Sequence, residues 1–199
     1  MIPNNTVVLA SGNPGKLREL QHMLKPIGLA VKAQSEFNVS DAIEDGLSFV
    51  ENAIIKARHA CAATGLPAIA DDSGLEVDYL KGMPGIYSAR YAGEPSDDQA
   101  NNNKLLKALN GLDKSARSAR FQCVLVYMRH AEDPTPIVCQ ASWEGVILSE
   151  ACGSNGFGYD PLFYVPAYQC ASAELPKETK NQVSHRAQAM KILLERLQG

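Results

Sequence analysis

Two short apolar segments that lead directly into polar turns are the feature that most constrains the fold. Residues 7–10 (Val-Val-Leu-Ala) and 67–70 (Pro-Ala-Ile-Ala) show no polar alternation, which is typical of strands buried on both faces. The first segment is followed by the turn 11–16, and Leu17, Leu20 and Leu24 then recur at helical spacing. Asn13 suits the N-cap of that helix and Pro14 its first position. A strand–turn–helix unit of this kind is typical of α/β proteins.

The rest of the chain continues the alternation of strands and helices. Strands are predicted over Phe121–Met128 and Ile137–Leu148, joined by a polar turn that contains two prolines. Helices are predicted over Phe49–Thr64, from a Ser96–Gln99 capping box to Asn110–Gly111, and from about Ser184 onward. These elements predict a mixed sheet covered by helices, and therefore an α/β fold.

Length and charge limit the classes of function. The chain has 199 residues, which fits one domain over 1–199. Its 19 basic and 22 acidic residues give a net charge of −3, which argues against a general nucleic-acid-binding protein. A small polyanionic substrate stays possible, because a few lysines and a metal can bind it locally.

The cysteines and the amino terminus indicate in which cellular compartment the protein is expected. Five cysteines, an odd and scattered set, fit neither a zinc knuckle nor a complete disulfide framework, so reduced thiols are expected. The amino terminus has no basic region, and no window approaches the roughly 20 apolar residues of a membrane span. We therefore expect a cytoplasmic protein that associates with neither membranes nor nucleic acid.

The turn 11–16 is a candidate phosphate-binding site. A helix start offers free backbone N–H groups and the positive end of the helix dipole. Lys16 lies in the first helical turn, where a cation gains nothing from the dipole unless an anion binds nearby. The segment is not a P-loop, because the glycine spacing differs and Leu17 replaces the Ser or Thr that holds magnesium. An ordinary tight turn is the alternative.

Carboxylates cluster in two further segments. Asp71 and Asp72 follow the second apolar segment, at the expected carboxyl end of a strand, where open α/β sheets place ligands. Glu44, Asp45 and Glu51 precede or begin the second helix. Converging carboxylates would suit Mg²⁺, with water and substrate phosphate as the other ligands. The alternative is that these residues simply mark turns.

The third candidate is the glycine-rich segment 153–161. Its glycines let the backbone approach a planar ligand closely, and Phe157 or Tyr159 can stack on a base. A plain connector is the alternative. Lys180, His185 and Arg186 lie around the start of the last helix, where a solvated basic turn is the alternative.

Six motifs in order resemble those of a known family. They are Ser-Gly-Asn-Pro-Gly-Lys at 11–16, Glu-Asn-Ala-Ile-Ile-Lys-Ala at 51–57, Ala-Asp-Asp-Ser-Gly at 70–74, Pro-Gly-Ile-Tyr-Ser-Ala-Arg-Tyr-Ala-Gly at 84–93, Gly-Phe-Gly-Tyr-Asp-Pro at 156–161 and Ser-His-Arg at 184–186. Together they resemble the inosine triphosphate pyrophosphatase family, and within it the RdgB-type dITP/XTP pyrophosphatases, from about residue 6 to 197.

The resemblance implies a fold and an activity. The fold is an elongated mixed β-sheet flanked by helices, with a central nucleotide-binding cleft and usually a homodimer. The activity is Mg²⁺-dependent hydrolysis of non-canonical purine nucleoside triphosphates (dITP, ITP, XTP, dXTP) to the monophosphate and pyrophosphate, which removes deaminated purines from the nucleotide pool. The alternatives are a Maf-type nucleotide pyrophosphatase of other base specificity and a non-catalytic nucleotide-binding sensor.

The resemblance also implies roles for particular residues. Asp72 would be the general base, and Asp72 and Glu44 the metal ligands, with Lys16 and Lys56 assisting catalysis. The residues expected to bind the substrate are Ser11, Gly12, Asn13, Pro14, Gly15, Lys16, Lys56, Ser73, Phe157, Gly158, Tyr159, Asp160, Lys180, His185 and Arg186. The role of Arg90 stays open between phosphate contact and a structural anchor.

Overall fold

A computed structural model describes residues 5–198, and these form a mixed sheet with helices. The strands are β1 (Thr6–Leu9), β2 (Ala30–Ala33), β3 (Ala68–Val77), β4 (Ser118–Met128), β5 (Ile137–Ile147), β6 (Phe163–Val165) and β7 (Cys170–Ala171). The helices are α1 (Pro14–Leu24), α2 (Phe49–Thr64), α3 (Asp98–Ala108), α4 (Lys177–Val183) and α5 (His185–Gln198), with short 3₁₀ turns between elements.

The seven strands follow the order β2-β1-β3-β4-β5-β6-β7. Strand β1 is parallel to both β2 and β3, whereas β6 is antiparallel to β5 and β7. Helix α1 packs on β2 and helix α2 on β1. The predicted α/β class, a mixed sheet flanked by helices, is therefore confirmed.

The chain forms two compact units. Among the described residues, unit 1 contains 5–72, 123–140 and 189–198, and unit 2 contains 73–122 and 141–188. In unit 1, Val7, Val8 and Leu9 of β1 are completely buried, as their continuous apolar sequence predicts. Unit 2 has its own core, in which Phe121 and Trp143 pack against Phe163. The prediction of one domain over 1–199 stays a prediction.

Two sequence predictions about element boundaries were wrong. Strand β3 does not end before Asp71 and Asp72 but continues to Val77. Its residues Leu75 and Val77 are completely buried. Its pairing with β1 nevertheless stops at Ile69, so the two aspartates lie just beyond the carboxyl end of β1. At α3, Asp97 is the N-cap and accepts from the Ala100 N–H, whereas the Ser96 hydroxyl donates to the Ala89 carbonyl.

The described residues contain no helix that is both long and apolar enough to cross a membrane. All five cysteines are free in the structure, three of them buried and two half-buried.

The turn between β4 and β5 is held by the buried carboxylate of Asp133. It accepts from the Arg129 backbone N–H at 3.0 Å, from the Arg129 Nε at 2.8 Å and from the Thr135 N–H at 3.0 Å. The Arg129 hydrogen bonds hold the pKa of Asp133 well below its ordinary value of 3.8. Because the pKa of Asp133 is lower in the folded than in the unfolded state, its ionised carboxylate stabilises the fold above about pH 4. This stabilisation is lost as the pH falls further.

Replacing Asp133 by asparagine should therefore lower the Tm at pH 7 by about 5 °C, because charge-assisted hydrogen bonds are replaced by neutral ones. The deficit should shrink as the pH falls below the ordinary pKa of an aspartate. Thermal unfolding from pH 7 to pH 3 measures both effects, and Glu132→Gln, an exposed neighbour, is the matched control. A pH-independent difference in Tm would contradict this account.

Candidate active site

The junction between β1 and α1 forms as the sequence predicts. Asn13 is the N-cap of α1 and accepts from the backbone N–H groups of Gly15 at 2.8 Å and Lys16 at 3.2 Å. Ser11 in turn accepts from the Asn13 N–H at 3.2 Å, and Pro14 is the first helical residue. The Asn13 side chain therefore already occupies two of the backbone N–H groups at the start of α1.

Lys16 has a carboxylate partner on β3. Its Nζ lies 2.6 Å from Oδ2 of Asp71, whose side chain is almost completely buried. The sequence places a cation where the α1 dipole disfavours it, and the ion pair with Asp71 supplies the compensating negative charge. Sequence reasoning missed this partner, because the two residues are 55 positions apart in the chain.

A second lysine joins two predicted metal ligands. The Lys56 Nζ lies 3.0 Å from Oε2 of Glu44 and 3.0 Å from Oδ1 of Asp72. One turn earlier on α2, Asn52 donates to Asp72 at 3.4 Å and accepts from the Gly46 N–H at 2.9 Å. Asn52 thereby links the loop that carries Glu44 to the strand that carries Asp72.

Glu51, the predicted carboxylate at the start of α2, forms hydrogen bonds to the turn that precedes the helix. It accepts from the Ser48 hydroxyl at 2.7 Å and from the Leu47 N–H at 3.0 Å. These bonds, led by the one from Ser48, lower the pKa of Glu51. For Glu51 the turn-forming alternative is therefore the one that the structure favours.

Unit 1 contains a pocket of about 260 Å³ at this site. Its lining is formed by Ala10, Ser11, Gly12, Lys16, Gln34, Asp41, Ala42, Glu44, Lys56 and Asp71. Sequence reasoning missed Gln34 and Asp41, which hydrogen bond to each other at 2.6 Å. No local sequence signal marked Gln34, because the strand β2 that precedes it has only four residues; the structure shows that Gln34 is 5% exposed.

The charges of this pocket are unbalanced. In the ion pairs at this site, the three carboxylates Glu44, Asp71 and Asp72 are paired with two lysines, Lys16 and Lys56. Burial raises the pKa of Asp72, Lys56 lowers it and Glu44 raises it again, so that it lies above its ordinary value. Burial lowers the pKa of Lys56, but Asp72, Asp71 and Glu44 together raise it above its ordinary value. The raised pKa of Asp72 therefore follows first from its burial, whereas the raised pKa of Lys56 follows from the three carboxylates around it.

The glycine-rich loop in unit 2 is organised by Asp160. This carboxylate is 2% exposed, accepts from the Phe157 N–H at 2.9 Å and from the Ser172 hydroxyl at 2.8 Å, and forms an ion pair with Lys180. Gly156 has φ +82°, and a Cβ there would collide with the Asp160 carboxylate, so only glycine fits. Asp160 therefore connects the loop to Lys180.

The two aromatic residues of the loop differ in exposure. Phe157 is 69% exposed, and the Lys180 Nζ lies 5.1 Å from the centre of its ring. Tyr159 is 4% exposed, and its hydroxyl donates to the Ser88 carbonyl at 2.8 Å. Burial raises the pKa of Tyr159. Of the two candidates for stacking on a base, only Phe157 offers an exposed ring.

The remaining predicted residues lie elsewhere in unit 2. His185 begins α5, and its ring stacks on Phe121 with centroids 5.0 Å apart. Arg186 follows it and is half-buried. The Ser73 hydroxyl is buried and has no hydrogen-bond partner among residues 5–198. The Arg90 guanidinium lies 5.6 Å from the centre of the Tyr87 ring.

The fold and the pocket define an α/β protein with paired lysines and carboxylates beyond the carboxyl end of its first strand. Residues 7–196 match the family model of the Ham1 family, and the chain belongs to that family. The family predicted from the motifs is thereby confirmed.

Similar proteins cover nearly the whole chain. A dITP/XTP pyrophosphatase of Vibrio parahaemolyticus is 63% identical over 191 residues, which is 96% of each chain. A dITP/XTP pyrophosphatase of Thioalkalivibrio sulfidiphilus is 60% identical over 97% of this chain and 98% of its own. The structure of a HAM1 protein from Coxiella burnetii matches with a TM-score of 0.94 and 50% identity, covering 97% of this chain and 98% of that one.

Proposed function

We propose that this protein is a nucleoside-triphosphate pyrophosphatase that hydrolyses dITP, ITP and XTP or dXTP to the monophosphate and pyrophosphate. The observation that carries the proposal is the position of Lys56, 3.0 Å from both Glu44 and Asp72, beside the Lys16–Asp71 pair. Further support comes from relatives named dITP/XTP pyrophosphatase at 60–63% identity. Such an enzyme would remove deaminated purines from the nucleotide pool.

Lys16, Lys56 and the segment Ser11–Gly15 would bind the triphosphate. The phosphates carry several negative charges, and the leaving pyrophosphate gains one more as the bond breaks. Fixed cations in a pocket from which water is partly excluded stabilise that charge better than bulk water does. On phosphate binding, each lysine would exchange a carboxylate partner for a phosphate oxygen.

The donors of the pocket fit Mg²⁺ bound together with substrate. Residues 5–198 contain no group of three His, Cys, Asp or Glu side chains placed to hold a metal ion. Mg²⁺ in nucleotide sites, however, uses one or two carboxylates plus waters and substrate phosphates. Glu44 and Asp72, joined through Lys56, match that donor set. When bound there, Mg²⁺ would neutralise phosphate charge and increase the acidity of a nearby water.

Asp72 would act as the general base toward the water that attacks the α-phosphorus. Its carboxylate is held by Lys56 at 3.0 Å and by Asn52 at 3.4 Å, so both its charge and its orientation are fixed. Burial and Glu44 raise the pKa of Asp72, which makes it a stronger base than an exposed aspartate. The proton would pass from the attacking water to an Asp72 carboxylate oxygen.

The purine base would be recognised in unit 2. Phe157 offers the exposed ring for stacking, and Lys180, His185 and Arg186 supply donors near the loop and the start of α5. Hypoxanthine and xanthine present an acceptor oxygen at position 6, whereas adenine presents an amino donor. A donor facing a donor in a desolvated pocket disfavours adenine.

The resemblance to the family supports two further proposals, a homodimeric state and a cytoplasmic location. Light scattering coupled to size-exclusion chromatography tests the first. A monomer at micromolar concentration would contradict it.

Hydrolysis in ¹⁸O-labelled water tests the proposed reaction. Attack at the α-phosphorus places the label in the nucleoside monophosphate and leaves pyrophosphate unlabelled. Label in pyrophosphate, or release of orthophosphate, would show a different reaction.

Removing the metal should abolish activity. Treatment with excess EDTA is expected to lower turnover of dITP to the background rate, and Mg²⁺ added in excess over the chelator should restore it. Circular dichroism should not change, because the side chains of the pocket also form ion pairs with one another. Full turnover in EDTA would contradict the metal proposal.

A further inference from the structure

Helix α3 carries two polar side chains, one turn apart, that bond to the same residue of the glycine-rich loop. Asp98 Oδ2 accepts from the Gly158 N–H at 2.6 Å. Asn102 Nδ2 donates to the Gly158 carbonyl at 2.9 Å. Because the N–H and the C=O of a residue belong to successive peptide units, the two bonds together fix the backbone of Gly158, which has φ +60°.

These bonds complete a set that surrounds Phe157. Its own N–H is held by Asp160, and the next N–H along the chain is held by Asp98. Its ring is nevertheless 69% exposed. The backbone on both sides of Phe157 is therefore fixed, while its aromatic surface remains available.

Asn102 is the buried member of this pair of α3 residues. The residue is 7% exposed, and its Oδ1 has no hydrogen-bond partner among residues 5–198. A buried acceptor without a partner destabilises a fold. The hydrogen bond that the Asn102 amide donates to the Gly158 carbonyl offsets this cost.

We propose that Asp98 and Asn102 are positioning residues for the nucleobase, which hold the loop so that the Phe157 ring is preorganised to stack on a purine. This inference rests on the proposed function. A preorganised contact surface lowers the entropic cost of binding, and neither residue is needed for cleavage of the anhydride bond. The two residues should therefore act on KM for nucleotides rather than on kcat.

The test compares alanine variants with matched controls. Asp98→Ala and Asn102→Ala are expected to raise KM for dITP about three- to tenfold, with kcat within about twofold. Asp98→Asn keeps an acceptor for the Gly158 N–H and should stay close to the wild-type KM. Asn103→Ala, an exposed position on the same helix, controls for changes in α3 itself.

Inorganic pyrophosphate serves as a probe without a base. Its inhibition constant should be unchanged in both alanine variants, because a loop that positions the purine does not act on phosphate binding. A merely structural role would instead lower the Tm and the active fraction, and so kcat, while leaving KM for dITP unaltered. That pattern would overturn the inference.

Two further outcomes also overturn it. One is an unchanged KM for dITP in Asp98→Ala, which is informative even if Asn102→Ala fails to fold, because Asp98 is exposed. The other is an equal rise in KM for dITP and in the inhibition constant of pyrophosphate. If the wild-type protein does not cleave dITP at all, the proposed function fails and this inference fails with it. An active wild type whose variants behave normally rejects only the inference.

Discussion

Replacing Asp72 by asparagine is expected to lower kcat for dITP by about 10²–10⁴-fold, because the amide cannot accept the proton of the attacking water. Asparagine has nearly the same shape, and its carbonyl oxygen can still accept from Lys56, which lies 3.0 Å from Asp72. Nucleotide binding should therefore persist. Steady-state kinetics measures the first effect, and titration calorimetry with a non-hydrolysable α,β-methylene analogue measures the second.

Asp45→Asn is the matched control for this experiment. Asp45 is an exposed carboxylate next to Glu44 in the sequence, and its substitution changes the net charge by the same amount. Its kcat should stay within about twofold of wild type. If Asp72→Asn turns over dITP at a near-normal rate, Asp72 is not the general base.

The second large effect is expected at Lys56. Lys56→Met should lower kcat/KM for dITP by about 10²–10³-fold, since it removes a cation proposed to bind phosphate and leaves Glu44 and Asp72 facing each other. KM should rise and kcat should fall, because the charge acts on the bound substrate and on the leaving pyrophosphate. The measurement is the full dependence of rate on dITP concentration.

Two other variants separate charge from position. Lys56→Arg keeps the charge in a different geometry and should recover part of the lost rate. Lys32→Met removes an exposed lysine of the same unit and should have little effect. A Lys56→Met enzyme with wild-type kcat/KM would show that Lys56 serves only the folded structure.

Local sequence signals predicted much of the local structure around the pocket in unit 1. Asn13 and Pro14 define the start of α1, and α2 spans Phe49–Thr64 as predicted, so that Asn52 and Lys56 share the face directed toward Asp72. Capping and helical periodicity depend on residues within a few positions of each other. Such features can be predicted from one sequence.

Partners that are distant in the chain could not be predicted in this way. The pairing of Lys16 with Asp71 depends on the parallel register of β1 and β3, which brings Leu9 opposite Ile69. The hydrogen bonds of Asp98 and Asn102 to the Gly158 backbone likewise join a helix to a loop that is distant in the chain. The short strands β2, β6 and β7, with two to four residues each, carry too little periodicity to be recognised.

The net charge limited the kinds of partner that could be expected, but it did not indicate where the site lies. The value of −3 argued against nucleic acid as a general partner. It did not indicate that Glu44, Asp71 and Asp72 lie around Lys16 and Lys56, because that arrangement comes from the fold. Charge is thus informative about function here only once its placement is known.

The most direct test of the proposed function is pyrophosphate release in the presence of Mg²⁺ from a panel of ITP, XTP, GTP, ATP, UTP and CTP. We expect release from ITP and XTP, at kcat/KM values well above those for the four standard nucleotides. Preferential release from standard nucleotides would indicate a pyrophosphatase of other base specificity. Binding without release from any of them would indicate a nucleotide sensor, and either result would contradict the proposed function.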